Sequence, residues 1–188
     1  MDSLLTRTFK LFPPNYSSRL CIAGGAAVDV LKASDIDVYI LNTTYDEQSV
    51  QSDLARIPGV QLRDLLANTA IQAESCPDGS PNTVLAEIPA SGVAPAIQII
   101  GAPVSTPELL LMGFDLSVHC VAYTPDGKRH TIDETTTPDR PIKVLTPVDP
   151  DSTLRRYRRF CLRYGIQPDP DELVKLCLMP DKVIDGNI

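Results

Sequence analysis

The chain has 188 residues, 43% hydrophobic and 22% charged; that length buries a core without disulfides or structural metal and bounds the chain to one domain with a small appendage. Its net charge of −7 is uneven, because residues 152–165 hold five arginines and no acid while the remainder sums to −12. An acidic body disfavours non-specific nucleic-acid binding, and the absence of Trp argues against a base-stacking platform.

No apolar run approaches the roughly 20 residues of a membrane helix, so no membrane partner is expected. The opening MDSLLTRTFKLF lacks the apolar region and cleavage site of a signal peptide, which predicts a cytoplasmic protein (host cytoplasm if viral). The five cysteines form no CxxC pair, and His119 and His130 complete no zinc pattern, so each Cys reads as a small reduced core residue.

Helical spacing of Leu4, Leu5, Thr8 and Phe9 predicts a helix over 3–11, ended by Pro13-Pro14. A short apolar run, 20–23, leads into Gly24-Gly25, a helix-compatible stretch 26–32 and a strand 35–41. Thr44 with Glu47 forms a capping box before a helix 45–56. Strands are predicted over 60–66, 82–88 and 96–100, with a loop or hairpin tip over 68–81.

Thr106-Pro107 starts a helix 107–112. The run 114–123, FDLSVHCVAY, reads as a strand returning through Asp126-Gly127 to 128–132. Residues 133–150 are Thr/Pro/Asp-rich, with an apolar stretch at 142–145. Asp151 or Ser152 caps a helix to Tyr164 closed by Gly165, and a last helix spans 170–178 before frayed terminal residues. The fold class expected is α+β: a mixed or antiparallel sheet with helices packed on it. The expected division is a domain over 1–150 and a C-terminal helical extension over 151–188.

Within this order, residues 19–41, RLCIAGGAAVDVLKASDIDVYIL, carry the chemistry. Asp35 and Asp37 lie two apart on a strand, so both carboxylates face one side while Ile36, Val38 and Ile40 face a core. Two buried carboxylates repel each other and lose hydration, a cost that a cation offsets. Gly24 and Gly25 permit close approach of backbone to a phosphate at a helix start. The pattern points to metal-dependent phosphoryl or nucleotidyl transfer.

The segment resembles the signature of the nucleotidyltransferase superfamily, with the DNA polymerase β-like fold: a glycine pair, a spacer, then D-x-D flanked by hydrophobic residues. The resemblance implies that Gly24 and Gly25 hold triphosphate oxygens, and that Asp35 and Asp37 bind Mg²⁺ (or Mn²⁺). It also implies a third carboxylate on a neighbouring strand. Ala26 stands where the family commonly has Ser. For the third acid, Gln98 occupies the central position of 96–100 and is a poor ligand, so Asp115 is expected there, with Glu87 the runner-up.

IQII, a helix and then FDLSVHCVAY resemble a subgroup that is often viral or phage-borne, and TLRRYRRFCLRYG resembles its following helix. There Arg155 and Arg159, with Arg163, would reach the triphosphate or an RNA backbone; the competing reading is a solvated helix face. His119 reads as structural. The expected activity is transfer of an NMP from an NTP, ATP among them, to an RNA, protein or small-molecule acceptor with release of pyrophosphate. The alternative is a degenerate member that only binds or scaffolds.

Overall fold

A computed structural model describes residues 3–43, 47–64, 71–75, 81–92, 94–132, 141–145 and 149–178. The strands are β1 (Leu20–Ala23), β2 (Asp35–Leu41), β3 (Gln61–Leu62), β4 (Ile71–Ser75), β5 (Pro81–Ile88), β6 (Ala96–Ala102), β7 (Val121–Tyr123) and β8 (Arg129–Thr131). The helices are α1 (Ser3–Phe9), α2 (Gly25–Val28), α3 (Glu47–Leu54), α4 (Pro107–Leu111), α5 (Pro150–Tyr164) and α6 (Pro170–Leu178). The sheet runs β3-β5-β6-β2-β1-β7-β8, with β4 on β5. The β2–β6 pair is parallel and the other pairs are antiparallel. The fold is therefore α+β with a mixed sheet, as expected.

Alternation along the two central strands sorts the core into two faces. Leu20, Ile22, Ile36, Val38 and Ile40 pack with Leu5, Phe9, Val50 and Leu54 of α1 and α3. Each is fully buried and contributes about 1.5–3 kcal/mol of transfer free energy. Cys21, Ala23, Tyr39 and Leu41 point the other way, onto Ile100, Leu110, Leu111 and Phe114. Asp35 and Asp37 share the parity of Tyr39 and Leu41, so they lie at the open end of this second face.

A third cluster joins Leu116, Val118, Ile142 and Val144 to Tyr157, Phe160 and Cys161 of α5 and Leu176 of α6. Asp149, one residue before Pro150, caps α5 by accepting from Asp151 N at 3.2 Å. Gly165 closes the helix in the left-handed conformation, φ 68°.

Four elements differ from the sequence reading, one of them the loop or tip expected over 68–81, where β4 (Ile71–Ser75) forms and pairs with β5. The helix expected over 26–32 is one turn, because the Asp29 side chain accepts from Leu31 N (3.2 Å) and offers the backbone a turn instead. The strand expected over 114–123 survives only as β7. Leu116 pairs with Val144, and Ser117 exchanges hydrogen bonds with Lys143, which draws the backbone aside into a 3₁₀ turn at Ser117–His119. Of the run 60–66, only Gln61–Leu62 is strand among the described residues. The Thr44 cap, residues 68–70 and 76–80 of the tip expected over 68–81, the stretch 133–140 and the frayed end after residue 178 lie outside the described residues.

Candidate active site

β1 delivers the chain to the glycine turn beside β2. Ala23 is registered with Asp37, and Gly24 N donates to Val121 O at 3.2 Å, which fixes the turn against β7. Gly24 has φ 76° and ψ −146°, a region open in practice only to glycine. A Cβ built there would lie 3.7 Å from Asp37 Oδ2, so the turn is close against that carboxylate. Gly25 differs: its φ is ordinary and a Cβ would meet nothing within 4 Å. The single turn of α2 leaves its first N–H groups without helical acceptors.

Asp35 and Asp37 are half-buried and line one cleft of about 200 Å³ with Gly24, Gly25, Gln98, His119, Arg156, Arg159 and Arg163. Ser34 Oγ donates to Asp35 Oδ1 at 2.9 Å. The opposite wall is α5, whose buried Phe160 organises three cationic or ionisable groups. Arg159 and Arg163 lie over its ring, 5.2 and 4.9 Å from the centroid, and His119 meets it edge-on at 4.2 Å. Burial pushes the His119 imidazole down to about 4; Asp115 opposes that shift and Arg156, Arg159 and Arg163 add to it. His119 is thus neutral at pH 7. Its Nε2 is buried with no hydrogen-bond partner among the described residues, as is Nε of Arg156 on the same wall.

The third acid does not join this pair. On β6, parallel to β2, the residue registered with Asp37 is Gln98. Asp115 is 2% exposed and does not line the cleft; its Oδ2 accepts from Thr153 Oγ1 at 2.5 Å and from Arg156. The segment that carries Asp115, drawn aside by the Leu116–Val144 bridge, turns its carboxylate onto α5. Among the described residues no group of three His, Cys, Asp or Glu could hold a metal ion. Glu87 pairs with Arg63 on β5, across from Gln98 on the far side of β6.

Arg159 reaches the cleft, whereas Arg155 lines a neighbouring cavity with Ser152, Arg156 and Arg159. Arg163, expected with Arg159 at the triphosphate, also lines the cleft, whereas Arg156 and His119 are cleft residues that the sequence reading did not place there. Spacing i, i+3, i+7 puts Arg156, Arg159 and Arg163 on one stripe, a signal present in the sequence.

The donor set fits a divalent cation in one respect. Two carboxylates with a phosphate-bearing substrate suit Mg²⁺ or Mn²⁺, which keep part of their water shell and use few protein ligands. The glycine turn and the three arginines give the cleft backbone N–H groups and positive charge opposite the two carboxylates.

No family model and no curated protein matches the chain. One solved structure with a similar fold is titled "tRNA-processing enzyme (apo form I)", at a TM-score of 0.50 and 18% identity over 84% of this chain. The alignment covers 41% of that structure, so this chain spans about two fifths of its length. At that identity the likeness is one of fold. Among the described residues no helix is long and apolar enough to cross a membrane.

Proposed function

We propose that this domain is a metal-dependent nucleotidyltransferase that moves an NMP from an NTP to an acceptor hydroxyl. The observation that carries the reading is the convergence of Asp35, Asp37, the Gly24-Gly25 turn and three α5 arginines on one cleft. Asp35 and Asp37 would hold Mg²⁺ or Mn²⁺, which supplies charge neutralisation at the phosphates. The glycine turn and Arg159 and Arg163 hold the triphosphate. The acceptor oxygen attacks the α-phosphorus, the bond to the bridging oxygen breaks, and pyrophosphate leaves. The hydroxyl proton passes to one of the two cleft carboxylates. Asp115, engaged with Thr153 and Arg156, positions Arg156 in this scheme.

The fold likeness to a tRNA-processing enzyme supports a nucleotide-processing role without fixing the reaction. A second reading, binding without turnover, is favoured by Gln98, the neutral amide registered with Asp37.

Calorimetry with each NTP in Mg²⁺, for the unaltered protein and Asp35→Asn/Asp37→Asn, separates the readings when followed by pyrophosphate release with total RNA and protein supplied as acceptors. Metal-dependent binding lost in the variant, with release of pyrophosphate, is expected. Binding without release selects the non-catalytic reading, and no metal-dependent binding removes both.

A further inference from the structure

Beside the cleft, on the outer side of α5, lies a second cavity of about 370 Å³ lined by Ser152, Arg155, Arg156 and Arg159. Three of its four residues are arginines, and it shares two of them with the Asp35/Asp37 cleft. Part of this charge is answered from within. Asp115 takes Arg156, and the hydrogen bond from Ser152 holds the Asp149 carboxyl below its usual range, with Arg155 adding to the effect. Ser152 Oγ also accepts from Arg155 at 2.8 Å, which fixes that guanidinium at the rim. Among the described residues Arg159 has no carboxylate partner and the buried Nε of Arg156 has no acceptor. Arg159, exposed at this cavity, is a charged donor open to an anion that none of the described residues supplies.

Arg155, Arg159 and Arg163 follow one another every four residues, so they stand about 6 Å apart along the helix. Arg155 lines only the outer cavity, Arg159 lines both, and Arg163 lines only the cleft. This is a graded track of positive charge that ends at the two carboxylates, on a chain that is otherwise acidic. A small phosphorylated molecule would occupy one step of it; a polymer with regularly spaced phosphates would occupy all of them.

We propose that the outer cavity is a subsite for a backbone phosphate of a single-stranded polynucleotide, whose terminal hydroxyl lies at Asp35 and Asp37. The acceptor in the transfer reaction is then a nucleic-acid end. The outer subsite stands on its own geometry; only the role of that end rests on the nucleotidyl-transfer reading.

The test measures binding of labelled single-stranded RNA and DNA oligonucleotides of equal length by anisotropy across a salt series, beside calorimetry of Mg²⁺-NTP. The variants are Arg155→Ala and Arg158→Ala, the latter an exposed arginine of the same helix that lines neither cavity. Arg155→Ala should weaken oligonucleotide binding about tenfold. It should also lower the salt slope by about one, while NTP affinity stays unchanged. Arg158→Ala should alter neither. Preference for RNA over DNA would place a 2′-hydroxyl contact on the track, and equal affinity would leave phosphate as the recognised group; both uphold the subsite.

Loss of NTP and oligonucleotide binding together in Arg155→Ala would assign that arginine to the nucleotide and overturn the subsite. So would unchanged oligonucleotide affinity, or no oligonucleotide binding by the unaltered protein. If the unaltered protein binds no NTP yet Arg155→Ala still loses oligonucleotide, the transferase reading fails and the subsite remains.

Discussion

Gly24 and Gly25 are adjacent glycines with different reasons to be glycine, and substitution separates them. Gly24→Ala forces a side chain into φ 76°, which costs about 1–3 kcal/mol and should be visible as a lower urea midpoint. Gly25→Ala meets nothing within 4 Å, so its urea midpoint should change little. Its new methyl stands where a phosphate would approach, and calorimetry should show NTP affinity falling by tenfold or more. Retained affinity in Gly25→Ala would remove the turn from the binding site. His119 makes a second residue-scale prediction. Its imidazole falls from 6.5 when unfolded to about 4 when folded, chiefly through burial, so below pH 6.5 the unfolded chain binds the extra proton. The stability present above pH 6.5 is lost progressively as pH falls towards 4. His119→Phe removes both this slope and the unpartnered Nε2, and denaturation midpoints at pH 7 and 5 should then converge.

At the scale of elements, α5 is held by its apolar stripe and by the buried Asp115 pair with Thr153 and Arg156. Removing one member leaves an uncompensated buried charge, so Asp115→Ala should cost about 3–5 kcal/mol in denaturant melts, and Thr153→Val clearly less. If Asp115 instead served as a metal ligand, Asp115→Ala would abolish Mg²⁺ dependence with little effect on folding. The strand pattern that places Asp35 and Asp37 was legible because alternation is local: each side chain's face follows from its own neighbours. The position of Asp115 was not, because Leu116 and Ser117 pair with residues 143–144, and nothing within 114–123 announces that partner. The arginine helix was legible as a helix but not in its rotation. Consecutive residues differ by about 100° around the axis, so Arg156 reaches the cleft as well as the outer cavity while Arg155 lines the outer cavity alone, and only packing of Tyr157 and Phe160 decides which. The pin between α4 and the β7–β8 hairpin was equally unreadable: His130 Nδ1 lies 2.6 Å from Glu108 Oε1, joining residues 22 positions apart. That contact holds the Glu108 carboxyl below its usual range.

For the molecule as a whole, the two half-buried carboxylates of β2 would, as cation ligands, set folding and function against each other. Two like charges about 6–7 Å apart repel by roughly 0.6 kcal/mol in water and 2.5 kcal/mol at a near-surface effective dielectric of about 20. The acidic remainder of the chain adds to that potential. In the absence of metal and nucleotide, Asp35→Asn/Asp37→Asn should therefore melt at a higher temperature than the unaltered protein, because it removes the repulsion and keeps the shape. Addition of Mg²⁺ and NTP should reverse the order. A ligand at one hundred times its dissociation constant stabilises the native state by about 2.7 kcal/mol, and only the unaltered protein gains it. Raising ionic strength without metal should narrow the first difference by screening, while leaving the second largely in place, since it depends on coordination at the cleft. A pair of melting curves that never cross would mean that Asp35 and Asp37 are kept for some purpose other than holding a cation. Crossing curves would tie the paired carboxylates of β2 to the ligand that neutralises their repulsion.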